Sequence, residues 1–152
     1  MVTSARRAIR CGWVRVAFIT RKRLGGIPVQ SFNTPRGVVA VSSVEATAID
    51  RVGYHRRVGG LSAVATILQE LAESMAPAKL VEAAHTAPIP WAQRLGYLLE
   101  RVGASTQAAS LASHVQDKAR DYVPLLPSAS RSGADRDRDW KLLVNAEVET
   151  DL

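Results

Sequence analysis

Apolar and polar residues change period along this chain, and the changes mark out its elements. From Trp13 to Lys22 the period is two, with Val14, Val16, Phe18 and Thr20 on one face, which predicts a strand. Gly25-Gly26 signals a turn. Ile27 to Phe32 then reads as a second short strand, placed at an edge by Pro28. Thr34-Pro35-Arg36-Gly37 has the early proline and late glycine of a tight turn, and Val38 to Val41 follows as a third strand.

The period then lengthens to that of a helix. Ser42 is the expected cap of a helix running to about Gly53, with Glu45 three positions on and able to reach back. Leu61, Val64, Ala65, Leu68, Leu71, Ala72 and Met75 recur at steps of three and four, so they predict an amphipathic helix that stops before Pro77. A shorter helix is expected over 78–84. Pro90 opens another, with Trp91, Leu95, Leu98 and Val102 as its apolar stripe and Gly103 as its stop. Ser105 or Thr106 caps a further helix with Ala108, Leu111, Ala112, Val115 and Ala119 inward. Tyr122 to Leu126 reads as a short strand, 127–139 as a loop, and Trp140 to Val148 as a last strand with Trp140, Leu142, Val144, Ala146 and Val148 sharing a face.

Strands at the front, helices in the middle and a returning strand argue an α+β fold. The expected architecture is one small sheet, formed by the N-terminal strands plus the C-terminal strand, packed against four to five helices. The 152 residues suit a single domain, with 1–12 as a basic arm or helix. No internal repeat is visible. With aromatics at 5%, Leu, Val, Ile and Ala must supply the core.

Charge alters this picture at one end. Residues 1–44 contain eight basic residues and no acid, whereas the rest of the chain is slightly acidic. A cationic front suits a polyanion or an acidic protein face. The plain alternative is a solvated face that confers solubility. An Arg-rich start also resembles an organellar presequence, but a presequence should be an amphipathic helix and this segment reads as strand. No apolar run has the length of a membrane span and no secretory signal is visible, so a cytoplasmic protein is expected. Cys11 stands alone, as suits a reducing compartment, and is read as a buried structural residue.

Motifs for chemistry are sparse. The histidines, His55, His85 and His114, are distant in sequence and lack zinc-ligand spacing, so no metal and no cofactor is expected. Phosphate loops, dinucleotide fingerprints and nucleophile elbows are absent. Asp135-Arg136-Asp137-Arg138-Asp139 has alternating carboxylates of the kind that hold Mg²⁺ in phosphoryl or nucleotidyl transfer. The intervening arginines and the loop-like context favour self-neutralising solvated charge instead. His55-Arg56-Arg57 is either a polar helix end or a fork for a phosphate or an acidic partner.

Three stretches, taken together, have a family likeness: Val41 to Asp50, Gln93 to Glu100 (QRLGYLLE) and Asp139 to Asn145 (DWKLLVN). Each also has a structural reading: a strand entering a capped helix; a helix in which Gly96 permits close packing and Arg94 reaches an acidic neighbour; and a half-buried strand. In order and spacing they resemble the C-terminal domain of the AbiEi family, antitoxins of type IV toxin–antitoxin systems. The likeness covers most of residues 13–152. It implies an antitoxin and transcriptional-regulator role, with a nucleotidyltransferase-like toxin as the functional partner and no requirement for a stable complex. Family members carry an N-terminal winged helix that binds their own promoter. No winged helix is expected in this chain, since its strand signals begin near residue 13. Any DNA contact is expected from the basic front, through phosphates. The candidate contact residues are Arg15, Arg21, Lys22, Arg23, Arg36, Arg56 and Arg57. The competing readings are an accessory DNA-binding domain and a Mg²⁺-dependent transferase built on Asp135 and Asp137.

Overall fold

A computed structural model describes residues 1–21 and 25–150. Four strands precede the helices: β1 (Ile9–Cys11), β2 (Val14–Val16), β3 (Val29–Thr34) and β4 (Gly37–Ser42). The helices are α1 (Val44–Gly53), α2 (Leu61–Leu71), α3 (Pro77–His85), α4 (Ile89–Arg101) and α5 (Ser105–Lys118). A 3₁₀ turn, His55–Arg57, follows α1. Strands β5 (Val123–Pro124), β6 (Asp135–Asp137) and β7 (Leu142–Val144) complete the chain.

The core belongs to the helices. Ala92, Leu95, Leu98 and Leu99 of α4 are fully buried, facing Ile49 and Val52 of α1, Val64 and Leu68 of α2, and Leu111 and Val115 of α5 in one apolar cluster. Leu95 and Leu98, Val64 and Leu68, and Leu111 and Val115 are three- and four-step positions of the sequence, while Ala92 and Leu99 widen the α4 stripe and Trp91 at its edge is only partly buried. At two places the packing demands glycine. A Cβ on Gly53 would lie 2.4 Å from the Trp91 ring, and one on Gly96 would lie 2.0 Å from the Trp140 ring. Gly103, with φ of +78°, terminates the α4 end as expected and donates its N–H to the Glu100 carbonyl at 3.0 Å.

The α+β class holds, but the strands are divided among three separate small sheets rather than gathered in one. Among the described residues β1 pairs only with β2, and β3 only with β4. The terminal strand β7 does not rejoin them. Its two edges are taken locally, by β5 in parallel and β6 in antiparallel register. The segment holding Asp135, expected as loop, therefore includes a strand, with Arg136 opposite Leu143. The last strand is also shorter than its alternation suggested. Lys141 has φ of +49°, so Trp140 stands outside the ladder in a turn, its N–H donated to Asp137 Oδ1 at 2.8 Å.

The long front strand expected from Trp13 is instead a short hairpin. Gly12, with φ of +59°, opens the turn between Cys11 and Val14, and pairing ends at Val16. Residues 1–12 are thus neither helix nor free arm throughout. Val2 donates its N–H to the Ile19 carbonyl and accepts from the Arg21 amide, so the chain closes on itself below the hairpin. The α1 cap is Ser43, one residue later than expected: its Oγ accepts from the Ala46 amide at 3.2 Å. The Glu45 carboxylate accepts the Ala76 amide at the start of α3 at 2.9 Å. Burial pushes the Glu45 carboxyl up. The Ala76 amide, its own amide, Ser43 and Lys79 outweigh burial and leave it below the ordinary value.

Candidate macromolecular interface

Both N-terminal hairpins stand off the helical body. Every residue of β1, β2, β3 and β4 is exposed. The reason is in the sequence of β1–β2, where apolar and basic residues alternate without a core to receive the apolar set. Directly opposed residues share a face. Ile9 with Val16 and Cys11 with Val14 form one face, and Arg10 with Arg15 forms the other. Two arginines directly opposite repel, so this register is unfavourable until an anion bridges them. At the tip Trp13 is 98% exposed. Cys11, expected to be buried, is exposed beside it.

The candidate cations divide by position. Arg15 is exposed on the first hairpin, and Arg36 at the tip of the second, where the Thr34 hydroxyl accepts the Arg36 amide at 3.3 Å and donates to the Gly37 carbonyl at 2.7 Å. Arg56 and Arg57 are exposed on the 3₁₀ turn. That turn lies near the hairpin bases: Tyr54 and Val58, on either side of it, line a cleft of about 170 Å³ together with Met1, Ile19 and Ser42. Lys22 and Arg23 lie outside the described residues. Arg21 does not belong to this surface. It is 8% exposed, paired with Asp50 of α1, and donates a second hydrogen bond to the Thr86 carbonyl at 3.1 Å. Burial raises the Asp50 carboxyl above its ordinary value despite the opposing pull of Arg21 and the N-terminal ammonium. Arg6, Arg7 and Arg10, which the sequence reading left out of the contact set, are exposed and extend the basic surface. Their place in the acid-free run was the available signal.

The motif residues act within the fold. Gln93 donates to the carbonyls of Asp121, Trp140 and Lys141 at 3.3, 3.1 and 3.0 Å. Arg94, expected to reach an acid, reaches backbone instead, donating to the Pro124 and Leu125 carbonyls at 2.9–3.1 Å. Burial depresses its pKa. With Gly96 receiving the Trp140 ring, Gln93, Arg94 and Gly96 form the seat on which β5, β6 and β7 rest. Asn145 extends that sheet with its side chain, accepting the Leu126 amide and donating to the Leu126 carbonyl, both at 2.9 Å.

The histidines, distant in sequence, are partly brought together. The His85 and His114 rings meet edge to face at 4.6 Å between α3 and α5. No third ligand joins them: among the described residues no cluster of three or more His, Cys, Asp or Glu could hold a metal ion. Asp137 of the acidic run is engaged by the Trp140 amide. Burial, then His85 and Lys118, depress the pKa of His114 against a weaker opposite effect of Asp117. The folded protein therefore binds this proton less readily than the unfolded chain. Stability should fall as pH drops below about 6.5, the ordinary histidine value. Urea midpoints between pH 8 and pH 5 should show the fall in the wild type and a shallower one in His114→Gln; equal slopes would remove His114 as the cause.

Fold and surface together define an α+β domain that holds two exposed hairpins, one basic and one nearly uncharged, clear of its core. The chain belongs to the AbiEi antitoxin family: the family model described as the AbiEi antitoxin C-terminal domain matches residues 1–101. This span runs from the first hairpin through α4. It includes two of the three stretches singled out in the sequence and stops before Asp139. The family is regulatory, and not a family of known enzymes. No curated protein and no solved structure matches the chain. Among the described residues no helix is long and apolar enough to cross a membrane.

Proposed function

We propose that this chain is the antitoxin domain of a type IV pair, counteracting a nucleotidyltransferase-like toxin in the cytoplasm and supporting repression of its own operon. The contact surface is the exposed basic front: Arg10 and Arg15 on the first hairpin, Arg36 on the second, and Arg56 and Arg57 at their base; Lys22 and Arg23 are further candidates from the sequence alone. Family membership supports the antitoxin role. The observation that carries the surface is the opposed Arg10–Arg15 pair on a hairpin whose strands are exposed throughout. Such a pair gains most from an anionic partner, and Trp13 beside it supplies the aromatic-plus-arginine composition typical of binding hot spots.

Co-expression tests the role. The chain should restore growth to cells producing the nucleotidyltransferase-like toxin encoded beside it, and failure of a folded, well-expressed chain to do so removes the antitoxin reading. A DNA-binding role is favoured by one feature, that a two-stranded ribbon with an arginine face fits the major groove. Binding to operator DNA should then weaken steeply with salt. A flat salt response excludes it.

A further inference from the structure

The second hairpin differs in chemistry from the first. Val29–Thr34 and Gly37–Ser42 contain no charged residue, and the only charge between them is Arg36 in the turn. All six pairs are in regular register with no bulge, and every position is exposed, Val38 at 68%. Among the described residues neither edge of the hairpin is paired. Proteins ordinarily blunt such edges with lysine, proline or a bulge. β4 has none of these, and an isolated two-stranded hairpin is marginal in water.

We propose that β4 is a self-association edge, along which two copies of this chain pair antiparallel to give a four-stranded sheet. β4 is the better edge because Val38, Val39 and Val41 make it mostly β-branched, whereas β3 interrupts Val29 and Phe32 with Gln30, Ser31 and Asn33. Charge favours a second copy as occupant. The basic first hairpin would repel one, while β4 is a neutral window in the cationic front and offers no charge for an acidic or basic partner to pair with. A two-fold axis normal to a sheet sets one residue opposite itself. Centring on Ala40 puts Val39 opposite Val41 of the other copy, on the face that also carries Phe32. Phe32, Val39 and Val41 from both copies then form one apolar cluster. Centring on Val39 would instead set Val41 against Gly37. With Ala40 at the axis, the two Arg36 turns point apart and lie about 26 Å from each other, well beyond the screening length of about 8–10 Å.

Strand pairing of this extent buries less than the roughly 1,200 Å² of a standard interface, so the dimer should be weak. Sedimentation of the chain from low micromolar to near-millimolar concentration should show a monomer–dimer equilibrium. Val39→Lys should weaken it at least tenfold with an unchanged circular dichroism spectrum, since β4 is off the core. In a Cys11→Ser background, Ala40→Cys should form an interchain disulfide on mild oxidation, because self-opposed Cα atoms lie about 4.5–5.5 Å apart. Val38→Cys should not, because its own counterpart is about 13 Å away along the strands. A monomer at all concentrations overturns the proposal. So does a dimer indifferent to Val39→Lys, or crosslinking through Val38→Cys as readily as through Ala40→Cys. None of these results bears on the antitoxin role.

Discussion

Gly96→Ala should destabilise the protein by about 2–3 kcal/mol, the scale of overpacking in a well-packed core. The sign is the informative part. On an open helix surface the same substitution stabilises by about 0.5–1 kcal/mol, because alanine is the better helix former. Here the added methyl would lie 2.0–2.3 Å from three atoms of the Trp140 ring, and that ring is 1% exposed. Relief requires Trp140 to move, and it cannot move alone. Its carbonyl and that of Lys141 accept from Gln93, and its amide donates to Asp137. The C-terminal sheet should therefore loosen as a unit. Urea unfolding followed by far-ultraviolet circular dichroism gives the magnitude. A neutral or stabilising result would mean that Trp140 is not seated against α4.

Arg21→Met should cost about 3–5 kcal/mol at neutral pH, since it strands a buried carboxylate. Asp50 and Arg21 each have side chains 9% exposed, so water replaces the lost partner poorly. Burial already raises the Asp50 carboxyl with Arg21 in place, and without it the rise must be larger. A carboxyl raised in the folded state holds its proton more tightly there than in the unfolded chain. Its contribution is therefore favourable at acid pH and is lost as pH rises through the folded value. The deficit of Arg21→Met should accordingly be largest near pH 7–8 and shrink towards pH 4–5. Arg21→Met combined with Asp50→Leu should recover most of it, because removing both charges removes the orphan. Thermal unfolding of both variants across that range decides the matter. A double variant no better than the single one would show that the pair does more than neutralise itself.

Arg21 also marks the limit of what the sequence reveals. It stands in an acid-free run of bases, where every arginine reads as solvent-facing. Its partner lies 29 residues ahead, on a helix whose own pattern gives no hint of it. The nearer signal was its apolar approach through Phe18 and Ile19, both half-buried. The helices were legible because their spacing is set by one shared core, and the second hairpin because Thr34-Pro35-Arg36-Gly37 is a strong turn. Strand alternation was less informative. It assumes a core on one side, and at β1–β2 the apolar face of Ile9, Val14 and Val16 stays about half exposed, at 45–55%. Nor could alternation show that β7 would take β5 and β6 as neighbours. Gln93 and Arg94 hold the segments around β5 and at the start of β7 through carbonyls, which every residue possesses.

The contact surface was legible only as a bias of charge. Its division into a basic hairpin, a neutral hairpin and a buried ion pair depends on which residues the fold sets side by side. The turn at Gly12 places Arg10 against Arg15, whereas β4 is uncharged in its own sequence and Arg21 is withdrawn from the surface by Asp50.

The claim on which the rest depends is that the first hairpin acts on a partner through its arginine face. Growth rescue by the double variant Arg10→Glu/Arg15→Glu, co-expressed with the neighbouring toxin, tests it most directly. Because both residues are exposed and away from the core, the thermal midpoint should be unchanged, and rescue should drop at least tenfold in surviving colonies. Full rescue by the charge-reversed chain would contradict the claim.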